Sequence, residues 1–158
     1  MAEELIEADN TSEYMTFELG SMKYAIELPK IREILTYPEI ITTLPNTTGW
    51  VKGLINLRGE VVPILDIRIK FNTGQIEYND NTAVIAVITE DKRMIGIVVD
   101  KVDDVQKIDS STLSPVSDMG SAIPSKYLKG FVRLDNSKML VVMDIESVVH
   151  KDELKKDS

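Results

Sequence analysis

The residues of this 158-residue chain that could do chemistry are few and scattered. Its single histidine, His150, stands near the C-terminus without a metal-ligand pattern around it. There is no cysteine, so disulfides, thiolate nucleophiles and thiolate metal sites are excluded, which fits a reducing compartment. The adjacent acids Asp103 and Asp104 suggest paired carboxylates or a cation site, but neighbours on a strand point to opposite faces. They read as solvated acids near a strand end. No nucleophile elbow, phosphate-cradling glycine loop or dinucleotide fingerprint occurs. The inventory argues against an enzyme, and no cofactor or metal is expected. What stands out is Arg58, in GLINLRGEVVPILDI (53–67), a charged residue at the tip of an otherwise apolar hairpin. An arginine fork can bond a carboxylate and backbone carbonyls together, and Gly59 permits a tight turn and close approach of another chain. Glu33, Glu60 and a partner's acid are the candidate acceptors. Two readings stand: a solvated hairpin tip of ordinary turn chemistry, or an arginine that recognises a partner.

Hairpins must position that arginine. Met15–Leu19 alternates apolar and polar residues, turns at Gly20-Ser21 and returns through Lys23–Leu28. Ala83–Ile88 turns through Thr89–Lys92 and returns as Met94–Val99, and Gly130–Leu134 with Met139–Met143 flanks Asp135–Lys138. Short β-branched strands with polar turns predict an all-β barrel or sandwich. Asp66 and Asp144 each end a strand and could cap a helical turn. Ile145, Val148 and Val149 have the spacing of a short C-terminal helix.

The segments also repeat. YAIELPKIREI (24–34) lines up with IGIVVDKVDDV (95–105), and VKGLINLRGEVVPILDI (51–67) with LKGFVRLDNSKMLVVMDI (128–145). Lys52-Gly53 matches Lys129-Gly130, and Leu65-Asp66-Ile67 matches Met143-Asp144-Ile145. Two similarities in the same order predict a tandem duplication, with barrel one at about 14–72 and barrel two at about 82–150. The triplets Leu28/Ile31/Ile34 and Val99/Val102/Val105 hold more large apolar side chains than one strand face needs. They either fill the cores or form patches through which two-barrel proteins assemble.

The net charge is −8, yet residues 1–13 alone carry five acids and no base, leaving 21 acids against 18 bases elsewhere. No basic face of the kind that holds nucleic acid or anionic lipid is expected. No apolar run approaches the ~18 residues of a membrane span, and the start lacks signal-peptide character. A cytoplasmic protein with protein partners is the expectation. Residues 1–13 read as a flexible acidic tail, 14–150 as the folded domain and 151–158 as a charged tail.

GLINLRGEVVPILDIRIKF (53–71), YMTFELGSMKYAIELPKIREI (14–34), GIVVDKVDDV (96–105) and KGFVRLDNSKMLVVMDI (129–145) resemble the recurring segments of the CheW family, the coupling proteins of bacterial chemotaxis. The resemblance implies two SH3-like five-stranded β-barrels packed together, and a non-enzymatic adaptor. Such an adaptor bridges the cytoplasmic tip of chemoreceptors (methyl-accepting chemotaxis proteins) and the regulatory domain of the histidine kinase CheA, alternating with it in rings. By motif position it implies a receptor-binding set of Arg58, Glu33, Asn56 and Val105. The implied kinase-binding set is Met15, Leu28 and Ile31, with Val99 and Val102 as their repeat-related counterparts. Too little chain flanks the barrels for a kinase or receiver domain, which favours a free-standing adaptor. The same adaptor in a different kinase pathway remains open, as does, further off, a small barrel that binds a ligand or nucleic acid; the low aromatic content speaks against the latter.

Overall fold

The computed structural model describes residues 10–38, 41–43, 49–73, 76–117, 122–134 and 138–154. The Asp135–Ser137 turn and residues 1–9 of the acidic tail lie outside the described residues. Strands β1 (Thr11–Leu19) and β2 (Met22–Glu27) form a hairpin, and the 3-10 turn Leu28–Lys30 leads into β3 (Ile31–Thr36). The hairpin β4 (Val51–Leu57) and β5 (Glu60–Asp66) runs into helix α1 (Ile67–Phe71). Then come β6 (Ala83–Ile88), β7 (Met94–Val99), β8 (Lys101–Asp109), β9 (Leu128–Arg133) and β10 (Met139–Met143). Helix α2 (Ile145–Val148) and a 3-10 turn, Lys151–Leu154, follow.

The strands form two five-stranded sheets, the SH3-like barrels of an all-β fold. The first has the order β8-β1-β2-β10-β9 and the second β3-β6-β7-β5-β4. Neither is a contiguous half of the chain. Each half lends its first two strands to one sheet and its last three to the other. The connections give the reason: a hairpin needs at least two turn residues, but only Asp100 separates β7 from β8. Between β2 and β3, Pro29 has no N–H to donate to a ladder. The chain therefore runs on into the neighbouring sheet, and the exchanged strands meet as parallel pairs, β2 with β10 and β5 with β7.

Replacing β1–β5 by β6–β10 converts one sheet order into the other, so the duplication is present as exchanged strands. Its details recur. Lys52 and Lys129 are the extra residues of matching bulges. The glycine after each has a positive φ, 144° at Gly53 and 151° at Gly130. A Cβ there would strike the carbonyl oxygen of Thr42 or Ser114, which belong to the bridges Thr42–Leu54 and Ser114–Phe131. Asp66 Oδ1 caps α1 by accepting from Arg68 N–H at 3.1 Å, and Asp144 caps α2 through Ser147.

This arrangement accounts for apolar runs that do not alternate. On β7, Ile95, Ile97 and Val99 face a core shared by both barrels, while Met94 and Val98 face the interior of the second. On β10, Val141 and Met143 join the shared core, and Leu140 and Val142 fill the first barrel. Strands buried on both faces need apolar residues at every position. Each large side chain so buried contributes roughly 1.5–3 kcal/mol.

Candidate partner-binding surface

The tip of the β4–β5 hairpin is a two-residue turn in which Arg58 has φ 53° and Gly59 φ 87°. Positive φ at both central positions is the type I′ geometry that matches strand twist, normally given to Asn-Gly. An arginine there costs roughly 1 kcal/mol relative to a relaxed conformation. Asn56 Oδ1 accepts the Gly59 N–H at 3.0 Å and braces the turn. The Arg58 side chain is 77% exposed and forks onto Glu33 of β3, Nε to Oε1 at 2.8 Å and Nη2 to Oε2 at 3.1 Å. The hydrogen bond from Arg58 holds the Glu33 carboxyl below its ordinary pKa, and Glu33 raises that of Arg58. Of the acceptors open from sequence, Glu33 is the one engaged within the chain. The pair spans the outer strands β3 and β4, so it clasps the open side of the second barrel. Beside it, Thr42, Leu54, Ile55, Asn56 and Val61 line a cavity of about 350 Å³.

The structure therefore brings Arg58, Glu33 and Asn56 together. Val105 lies on β8 of the first barrel, 42% exposed, directly opposite Met15 of β1. A residue assigned to the receptor and one assigned to the kinase thus share one patch. Ile34, which the repeat pairs with Val105, is 40% exposed on β3. Leu28 is half-buried, and Ile31 and Val102, also half-buried, pack on the shared core. Val99 is different: it is fully buried in that core and presents no surface to a partner. Its inward position on a strand covered on both faces decides this, which alternation alone could not.

Sequence reasoning took Asp66 as a cap and missed the group it belongs to. Arg68, 1% exposed, binds Asp66 through Nε and Nη2, each at 2.9 Å. Its Nη1 reaches Asp100 Oδ1 at 2.9 Å and the Glu77 carbonyl at 2.8 Å. Tyr78 donates its hydroxyl to Asp66 Oδ2 at 2.8 Å and lays its ring 4.9 Å from the guanidinium carbon. Burial alone would lower the Arg68 pKa, but the bonds to Asp66 and Asp100 outweigh it and raise it. Burial and the Asp66 carboxylate push the Tyr78 hydroxyl up. Asp100 also accepts the Gly20 N–H at 2.7 Å and donates its own N–H to Glu18, so the network ties α1 to the first barrel's β1–β2 turn. The Asp-x-Arg spacing was visible in sequence, but its burial was not.

Among the described residues no group of His, Cys, Asp or Glu could hold a metal ion, and no helix is long and apolar enough to cross a membrane. His150 Nδ1 accepts the Asp152 N–H, while Asp104 meets Thr16 and Asp103 lies 3.5 Å from Lys23.

The family model of the CheW-like domain matches residues 13–153. The chemotaxis protein CheW of Klebsiella aerogenes is 37% identical over 142 residues, covering 90% of this chain and 84% of that protein. CheW of Thermotoga maritima is 26% identical over 153 residues, with 93% of each chain covered. The crystal structure of the scaffolding protein TtCheW from Thermoanaerobacter tengcongensis superposes with a TM-score of 0.75 at 25% identity, covering 84% of this chain and 83% of that one. Family model, sequence identity and superposition agree, and the chain belongs to the CheW-like family.

Proposed function

We propose that the chain is a non-enzymatic adaptor that couples chemoreceptors to the histidine kinase CheA within chemotaxis arrays, on the cytoplasmic side of the membrane that holds the receptors. Family membership supports this reading, as do relatives named chemotaxis proteins and a structural neighbour named a scaffolding protein. The observation that carries the site is Arg58: a mostly exposed arginine kept in a left-handed turn and pre-oriented by Glu33. Backbone strain at an exposed tip points to function, since a plain turn would use asparagine or glycine. An arginine already held by its fork loses little side-chain freedom when a partner desolvates it, the property of an interface hot spot.

In this reading the receptor tip is held by Arg58, Glu33 and Asn56 on the second barrel, with Val105 a separate contact on the first, beside Met15. The kinase regulatory domain is held by Met15, Leu28, Ile31 and Val102. The test is retention of the chain on a receptor-tip fragment and on the kinase regulatory domain, with Arg58→Asn beside the parent. The expected result is receptor binding weakened at least about tenfold, the scale of a modest hot spot, with kinase binding and thermal stability unchanged. Parent-like binding of both partners by the variant overturns the site.

A further inference from the structure

The first barrel has a groove of about 510 Å³ lined by Gln106–Asp109 of β8, Thr112, and Val132–Leu134 of β9. These are the outer strands of their sheet, each paired along one side, with Phe131 additionally bridged to Ser114. A groove walled by two strand edges suits an extended segment. Its apolar residues, Ile108, Val132 and Leu134, belong to the barrel's interior cluster. Its rim carries Lys107 and Arg133, both exposed, and among the described residues neither has an ion-pair partner. Asp109, the groove's acid, is occupied: its Oδ1 accepts from Ser111 N–H at 2.9 Å and Ser111 Oγ at 2.6 Å.

The N-terminus enters the fold beside this groove. Thr11 pairs with Asp109, and the Asn10 carbonyl accepts the Ser110 N–H at 3.3 Å. The preceding residues, MAEELIEAD, contain four acids, no base and the apolar pair Leu5-Ile6. Nine residues reach up to about 30 Å, enough to round the end of β8 and run along a groove about four strand residues long.

We propose that residues 1–9 dock in this groove in cis, with Leu5 and Ile6 against Ile108, Val132 and Leu134 and the acids on Lys107 and Arg133. Tethering supplies a local concentration in the millimolar range, so weak contacts suffice. The docked tail covers the outer edges of β8 and β9, and anything adding to those edges must displace it.

The test compares backbone amide NMR shifts of the full chain and of a variant lacking residues 2–9. Deletion is expected to move the amides of Gln106–Asp109 and Val132–Leu134, and a synthetic peptide of residues 1–9 to restore them. An acidic peptide with Leu5 and Ile6 replaced by serine should not restore them. Lys107→Glu with Arg133→Glu in the truncated chain should weaken peptide binding about tenfold, the combined scale of two exposed ion pairs. Unmoved groove amides on deletion overturn the proposal. So do shifts that scale with protein concentration, which place a second copy in the groove, and equal binding of the serine control, which makes it a generic acidic-segment site.

Discussion

The crossover from β2 to β3 and that from β7 to β8 are one element used twice, and each is tied by an ion pair to a helix. At the first, Lys30 Nζ lies 2.7 Å from Glu146 of α2; at the second, Asp100 Oδ1 lies 2.9 Å from Arg68 of α1. The signs are reversed: the matched helix positions carry Arg68 in one half and Glu146 in the other, and each meets an opposite charge from a different position of its crossover, Asp100 or Lys30. Depth also differs. Glu77 and Tyr78 fold over Arg68 and seal it, whereas the segment after α2 turns away, sending Glu153 to Lys70 and Tyr127. The barrels' open sides differ in the same way. Arg58 and Glu33 clasp β3 to β4, while Asp104, the repeat counterpart of Glu33, is taken up by Thr16 at 2.7 Å and β8 and β9 stay apart around a groove. Duplication conserved the backbone and left the charges to diversify.

The largest expected effect lies at the sealed crossover. Arg68→Ala leaves the buried Asp66 carboxylate without its counter-charge and should cost about 3–5 kcal/mol in urea unfolding, whereas Glu146→Ala, at a shallower, partly exposed pair, should cost about 1 kcal/mol or less. Equal losses would break the contrast in depth. Next come the matched glycines: Gly53→Ala and Gly130→Ala should each cost at least about 2 kcal/mol, because a Cβ meets a backbone carbonyl at an unfavourable φ. A neutral result at one would break the symmetry of the bulges.

Smaller still is the effect of acid on the Lys70–Glu153 contact. Burial opposes ionisation of Glu153, but the hydrogen bonds from Lys70 and Tyr127 prevail and hold its pKa below the ordinary 4.5. A lowered carboxyl pKa stabilises the fold above pH 4.5, and the contribution disappears as pH falls through the depressed value. The single tryptophan, Trp50, whose ring lies 4.1 Å from Lys70 Nζ, should report this as a fluorescence change below pH 4.5 that Glu153→Gln abolishes. The smallest change in stability is expected for Arg58→Asn. Loss of an exposed ion pair offsets relief of the left-handed arginine, so the urea unfolding midpoint should stay at the parent value. A lowered midpoint would make the clasp structural.

Much of this fold was legible because its signals are local. Gly20-Ser21 and Arg58-Gly59 announce turns, Asp66 and Asp144 announce caps, and Lys52-Gly53 with Lys129-Gly130 mark the repeat before the bulges are seen. Arg58 stood out for the same reason, but its acceptor did not: Glu33 lies 25 residues away on another strand, and Glu60 and a partner's acid were equally open until β3 and β4 were placed. Val99 was not, because an apolar residue near a strand end reads alike on a surface and in a core. Arg68 was not, because an arginine in sequence looks solvated until Tyr78 and Glu77 are placed over it.

Alternation, turn residues and the internal repeat determined four hairpins and a doubled architecture, since each depends on neighbours a few residues apart; the crossing strands β3 and β8 were not among them. The tertiary structure decided which sheet each strand joins, because the one-residue link at Asp100 and the proline at 29 send strands across to the other barrel. With that exchange it decided which apolar residues face the shared core, which charge is sealed, and which open side is clasped by Arg58 and which is left as a groove.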